Sequence, residues 1–167
     1  MESLEIFQFF MLLNRDMYRK GIACIIINSN MKIMLINLMS FEYQYFSLPG
    51  GGIDNGETKI DALKRELFEE LGLEDNKYII IKESANPVKF KFSLGSRIMH
   101  GKKYIGQEKS YFLVKFIGKF SDIKLKEDEV RKYIWSNYKE LYKYLLFDGQ
   151  LEDTEKLISE LCPEIML

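Results

Sequence analysis

The chain has 167 residues, 47% of them hydrophobic and 29% charged, with a formal net charge of −1. That length suits one domain with a substantial core, the composition excludes a disordered chain, and the charge balance excludes a global attraction to nucleic acid or membrane. Cys24 and Cys162 lie far apart without CxxC spacing, which argues against a zinc site or disulfide framework and for a reducing cytoplasm.

In chain order, residues 1–16 read as an N-terminal extension. Its apolar run Ile6-Phe7-Gln8-Phe9-Phe10-Met11-Leu12-Leu13 follows acidic Glu2 and Glu5 where a signal peptide would be basic, and it is too short to span a bilayer. It is expected to pack on the domain as a strand or helix. Residues 21–27 are a β-branched run, Asn28-Ser29-Asn30 a turn and residues 32–38 a second strand, together a hairpin. Leu48-Pro49-Gly50-Gly51-Gly52 reads as a loop without side chains, suited to bringing backbone close to a metal or phosphate. A helix follows, with Thr58 and Asp61 spaced as a capping pair, Gly72 just past its last leucine, and Ile60, Leu63, Leu67 and Leu71 as a core-facing stripe. Short strands are expected at 78–81, 88–92, 110–117 and 130–135. Helices are expected at 139–146 and 152–161, separated by the turn Phe147-Asp148-Gly149. Without repeats, linkers or low-complexity tracts, the pattern predicts a single α/β domain over 1–167: a mixed sheet between helices, with C-terminal helices in 136–167.

The chemistry concentrates on the helix after the triple glycine. At ~100° per residue, Glu66, Glu69 and Glu70 fall within roughly 100° of arc on one face. Like charges at these spacings repel, and beside an apolar stripe they invite a compensating hard divalent cation. A Glu-rich stripe is also what a merely solvated helix face looks like.

The full spacing decides between them: Gly51, five residues, Glu57, seven residues, then Arg65-Glu66-Leu67-Phe68-Glu69-Glu70-Leu71-Gly72-Leu73. It resembles the signature of the Nudix hydrolases at every fixed position. That resemblance implies an α/β/α sandwich and hydrolysis of a phosphoanhydride in a nucleoside diphosphate linked to another group. It further implies that Glu66, Glu69 and Glu70 hold one or more Mg²⁺ or Mn²⁺ ions with a backbone carbonyl from the Gly51 loop, and that Arg65 pairs with Glu57 and orients Glu66. Relatives often add a carboxylate from a distant loop; Glu129, six residues before Trp135, is the candidate, with Glu127 and Asp128 as alternatives and an acidic surface loop as the plain reading.

Beyond the signature, three stretches resemble the bacterial RNA pyrophosphohydrolases and related dinucleoside polyphosphate hydrolases: Tyr18-Arg19-Lys20-Gly21, Gly106-Gln107-Glu108-Lys109-Ser110-Tyr111-Phe112, and the segment from Glu129 to Trp135. Two departures stand out. Pro49-Gly50-Gly51-Gly52 replaces Pro-Gln-Gly-Gly, and lysine sits one place early at Lys109, with Ser110 at the usual position; in a strand that shift turns a side chain to the opposite face. Arg19 is therefore the better positive candidate for a terminal phosphate, with Lys109 kept as a second. Lys89, Lys91, Arg97, His100, Lys102, Lys103, Lys109 and Lys115 suggest a basic flank, and Phe90, Phe92 and Tyr104 lie among them, available to stack on a base. The same alternation describes a half-buried strand whose lysines face water. The expected substrate is 5′-triphosphorylated RNA or a dinucleoside polyphosphate, with ADP-ribose or a nucleoside triphosphate as alternatives, and no DNA or membrane partner. A non-catalytic nucleotide-binding module on the same fold is the competing class.

Overall fold

The computed structural model describes residues 17–92 and 104–167. The apolar run 6–13, and Arg97, His100, Lys102 and Lys103 of the basic flank, lie outside the described residues. The chain forms two compact units, one of residues 21–88 with 109–167 and a smaller one that includes the described residues 17–20, 89–92 and 104–108.

Strands β1 (Tyr18–Ile27) and β2 (Ile33–Leu38) are an antiparallel hairpin that pairs Ile27 with Ile33. Its turn is built by Asn28, whose side-chain oxygen accepts from the N–H groups of Asn30 at 2.9 Å and Lys32 at 3.0 Å. Strands β4 (Tyr78–Glu83), β5 (Val88–Lys91), β6 (Gly106–Phe116) and β7 (Val130–Ser136) extend this into a mixed seven-stranded sheet. The main path runs β4-β6-β1-β2-β7, with β5 added to β6.

Both faces of the sheet are covered. On β1, Ile22, Cys24 and Ile26 enter one core with Leu63, Leu67 and Leu71, while Ile25 and Ile27 enter the other with Leu157, Ile158 and Leu161. Period-two alternation therefore feeds two helix layers, and a strand buried on both faces reads as a continuous apolar run. The first layer is α1 (Lys59–Leu71) and the second α2 (Gln150–Leu161), which gives the α/β/α sandwich.

Three expectations change. The triple glycine is not only a loop: Gly50–Gly52 forms a short strand, β3, antiparallel to β1 with Gly21 opposite Gly52, Ile22 opposite Gly51 and Ala23 opposite Gly50. A Cβ on Gly50, whose φ is 153°, would lie 2.2 Å from the Ile22 carbonyl oxygen, so glycine is what permits the approach. Ile60 is 39% exposed rather than in the core stripe. Ile60 sits in the first turn, and the packing falls to Ala62, Leu63, Leu67 and Leu71. The helix expected at 139–146 is instead a 3₁₀ segment, Tyr138–Lys143. Tyr144 N–H donates to the Leu141 carbonyl at 3.0 Å, the three-residue spacing of a 3₁₀ turn, and the Tyr144 carbonyl accepts from Phe46 N–H at 3.2 Å. The segment still buries Leu141 and Leu145 beneath α2.

α1 has both of its expected ends. The Thr58 hydroxyl accepts from Asp61 N–H at 3.1 Å, and Gly72, with φ 65°, turns the chain while its N–H reaches the Phe68 carbonyl at 2.9 Å. In the smaller unit, Phe92 N–H reaches the Ile105 carbonyl and Ile105 N–H the Met17 carbonyl, both at 2.9 Å. There the Lys89 ammonium lies 5.4 Å from the Tyr18 ring centre, and Lys20 pairs with Glu108.

Candidate active site

Arg65 organises the acidic face of α1. Its Nε and Nη2 grip the two oxygens of Glu57 at 2.8 and 3.0 Å, Nη1 donates to Glu66 at 2.7 Å and Glu69 at 3.2 Å, and Nη2 also reaches the Gly52 carbonyl at 2.8 Å. These contacts use all five donors of the guanidinium. The bidentate grip and the Asp54 N–H hold the Glu57 carboxyl down at about 2, and the same Glu57 contact raises the Arg65 pKa. Arg65 thus ties the loop before α1, the β3 strand and the carboxylate ridge into one piece.

Glu70 is the buried member of the ridge, 4% exposed. Its Oε2 accepts from Gly50 N–H at 3.0 Å. Burial pushes its carboxyl up to about 8, helped by the charges of Glu66 and Glu129 and opposed by the Gly50 N–H and Lys109. Glu66 is also raised, first by burial; Arg65 opposes the shift, while Glu69 and Glu129 add to it. A Cβ on Gly51 would sit 2.1 Å from Glu66 Oε1, so the missing side chain is the space in which that carboxylate rests.

Glu129, in the loop before β7, lies near enough for its charge to raise Glu66 and Glu70. That loop is fastened to the end of α1 by Lys124 N–H on the Leu71 carbonyl at 2.7 Å and Lys126 N–H on the Glu70 carbonyl at 3.4 Å. Glu127 and Asp128 are exposed on the same loop. Lys109 on β6 lies near enough for its charge to oppose the upward shift at Glu70. Arg19 and Phe90 belong to the smaller unit; Arg19 is half-buried, and the Phe90 ring meets Phe92 edge-on at 6.3 Å.

Sequence reasoning missed the Gly50 N–H, the Gly52 carbonyl, Lys126 and the burial of Glu70. For Glu70 a signal exists: at ~100° per residue it lies about 20° from Leu63, at the edge of the apolar arc. The backbone groups leave no such trace, because glycine writes no side chain into the pattern.

Among the described residues, no three acidic, cysteine or histidine side chains already converge as a metal-ligand set. The residues nevertheless fit a hard divalent ion. The donors are carboxylate oxygens beside a backbone strand, Gly51 leaves room for Glu66, and burial together with mutual repulsion raises Glu66 and Glu70.

A family model described as the NUDIX domain matches residues 17–159. The chain is 34% identical over 129 residues to an RNA pyrophosphohydrolase of Orientia tsutsugamushi (strain Boryong), covering 74% of this chain and 78% of the relative. It is 35% identical over 140 residues to one from a Nitratiruptor species, covering 81% and 88%. The structure of the E. coli dihydroneopterin triphosphate pyrophosphohydrolase shares the fold with a TM-score of 0.68 at 16% identity, over 85% of this chain and 97% of that one. No helix among the described residues is long and apolar enough to cross a membrane. With the glycine strand, the Arg65-bound acidic ridge and the sandwich in place, the chain belongs to the Nudix family and is a Nudix hydrolase.

Proposed function

We propose that the protein is a divalent-metal-dependent pyrophosphohydrolase acting on the 5′-triphosphate end of RNA, with dinucleoside polyphosphates as the second substrate class. The observation that carries this is the ridge of Glu66, Glu69 and Glu70, fixed by Arg65 against β3 and joined electrostatically by Glu129. The choice of RNA rests on the relatives, whose names give that activity.

Glu66, Glu69, Glu70 and Glu129, with the Gly51 carbonyl, would hold Mg²⁺ or Mn²⁺, and such an ion supplies charge neutralisation on the diphosphate and activation of water. Arg65 contributes position: locked by Glu57 and the Gly52 carbonyl, it holds Glu66 and Glu69 in one orientation. The Gly50 N–H holds one oxygen of Glu70 and leaves the other available. Lys109 adds positive charge beside the ridge, suited to a polyphosphate. In the overall reaction, the bond from water oxygen to phosphorus forms as the anhydride P–O bond breaks, and pyrophosphate leaves a 5′-monophosphate. Arg19 is proposed as a substrate contact on resemblance, and Phe90 on its place among basic residues, where an aromatic ring can stack on a base. The two buried, unpaired thiols of Cys24 and Cys162 suit a reducing cytoplasm.

A panel of 5′-triphosphorylated oligoribonucleotide, dinucleoside tetraphosphate, ADP-ribose and nucleoside triphosphates, each with Mg²⁺ and with Mn²⁺, tests this reading. Triphosphorylated RNA is expected to give the highest kcat/KM. Preference for ADP-ribose or a nucleoside triphosphate overturns the substrate, and a bound but uncleaved nucleotide overturns the enzyme in favour of a binding module.

A further inference from the structure

The acidic ridge has a second cation at its rim, in a contact of a different kind from Arg65. Lys126 Nζ lies 2.6 Å from Glu129 Oε1, and both side chains are 44% exposed. The backbone beneath them is fixed. Glu129 N–H and Val130 N–H both donate to the Lys126 carbonyl at 2.9 Å, and the Glu129 carbonyl accepts from Met39 N–H at 2.8 Å. Behind this turn, Gly72 leaves no room for a side chain, since its Cβ would lie 2.7 Å from the Lys124 carbonyl oxygen. Residues 126 and 129 are therefore held one turn apart by backbone hydrogen bonds, with both side chains half-exposed above them.

The two basic residues divide the work by chemistry. Arg65 spends every donor on Glu57, Glu66, Glu69 and Gly52, so it has none left for Glu129. Glu129 repels Glu66 and Glu70, and Lys126 takes up its charge. A bidentate, half-buried arginine fork is a lasting structural contact. A half-exposed ammonium on a four-carbon stem is strongly hydrated, and its ion pair is weak and easily exchanged.

We infer that Lys126 is a displaceable internal counter-ion: it holds Glu129 while the ridge lacks a divalent ion, and it yields that carboxylate when the ion binds. This rests on the reading of Glu129 as part of the site. Lys126 is a positioning residue, and its effect is on the affinity for the ion. Removing it deletes a competitor for Glu129.

Isothermal titration calorimetry of the metal-free full chain with Mn²⁺ reads this without reference to turnover. Lys126→Met is expected to bind Mn²⁺ about fivefold more tightly than the parent, and Lys126→Arg, which keeps the charge, to remain within about twofold of it. In a Glu129→Gln background the Lys126→Met gain is expected to disappear. Unchanged or weaker binding in Lys126→Met overturns the inference, as does a gain that persists when Glu129 is gone. The underlying reading fails separately: if Glu129→Gln alone leaves Mn²⁺ affinity unchanged, Glu129 is not part of the site, and if the parent chain binds no Mn²⁺, the ridge is not a metal site; either result removes the inference with it.

Discussion

Gly50 and Gly51 are neighbours of one chemical type, yet they are needed for different reasons. A Cβ on Gly50 would strike the Ile22 carbonyl and the Ala23 backbone at a φ of 153°, whereas one on Gly51 would strike only the end of the flexible Glu66 side chain. Gly50→Ala is therefore expected to destabilise the fold by at least about 1–3 kcal/mol, the scale of backbone strain at a position reserved for glycine. Gly51→Ala is expected to fold with a melting temperature near the parent's but to lose about 100-fold in turnover, because Glu66 must move. Thermal melts and steady-state rates on the two variants check the contrast. Glu57 gives a pH signature. Its folded pKa of about 2 lies below the ordinary 4.5, so its contribution to stability is fully present above pH 4.5 and is lost as pH falls toward 2. The gap in melting temperature between the parent and Glu57→Gln is expected to be constant above about pH 5 and to close on acidification. The sequence carried the Arg65–Glu57 contact only through resemblance. It could not show that Gly52 and Asp54 share it, since backbone groups are the same at every residue.

At the scale of elements, α1 couples the core to the chemistry. One side of it buries Leu63, Leu67 and Leu71, and the adjoining arc presents Glu66, Glu69 and Glu70, so the ridge is as fixed as the packing beneath it. The Thr58 cap sets where that helix begins. Thr58→Ala is expected to cost about 1 kcal/mol, visible as a fall of about 2–4 °C in melting temperature for a domain of this size. Legibility followed physical cause. Helix α1 was readable to its caps because local hydrogen bonds set both ends, and β1, β2 and β7 were readable from their apolar runs. The glycine strand β3 was hidden because pairing without side chains leaves no pattern. The segment Tyr138–Lys143 misled because its apolar spacing suits an α-helix as well as the 3₁₀ segment that forms.

At the scale of the whole molecule, a net charge of −1 coexists with one local cluster of carboxylates on α1. The carboxylates gather at the end of the sandwich where α1 meets β3 and the loop before β7, with Arg65, Lys109 and Lys126 as the cations set against them. This local excess of negative charge is what a bound divalent ion would balance. The most direct measurement is pyrophosphate release from 5′-triphosphorylated RNA, by the parent chain and by Glu70→Gln, in chelator and after restoring Mg²⁺ or Mn²⁺. Circular dichroism of both proteins confirms that each is folded. The account predicts no release in chelator, recovery with the metal in the parent, and a loss of at least about 100-fold in a folded Glu70→Gln. Undiminished release by that variant, or release indifferent to chelator, would contradict it.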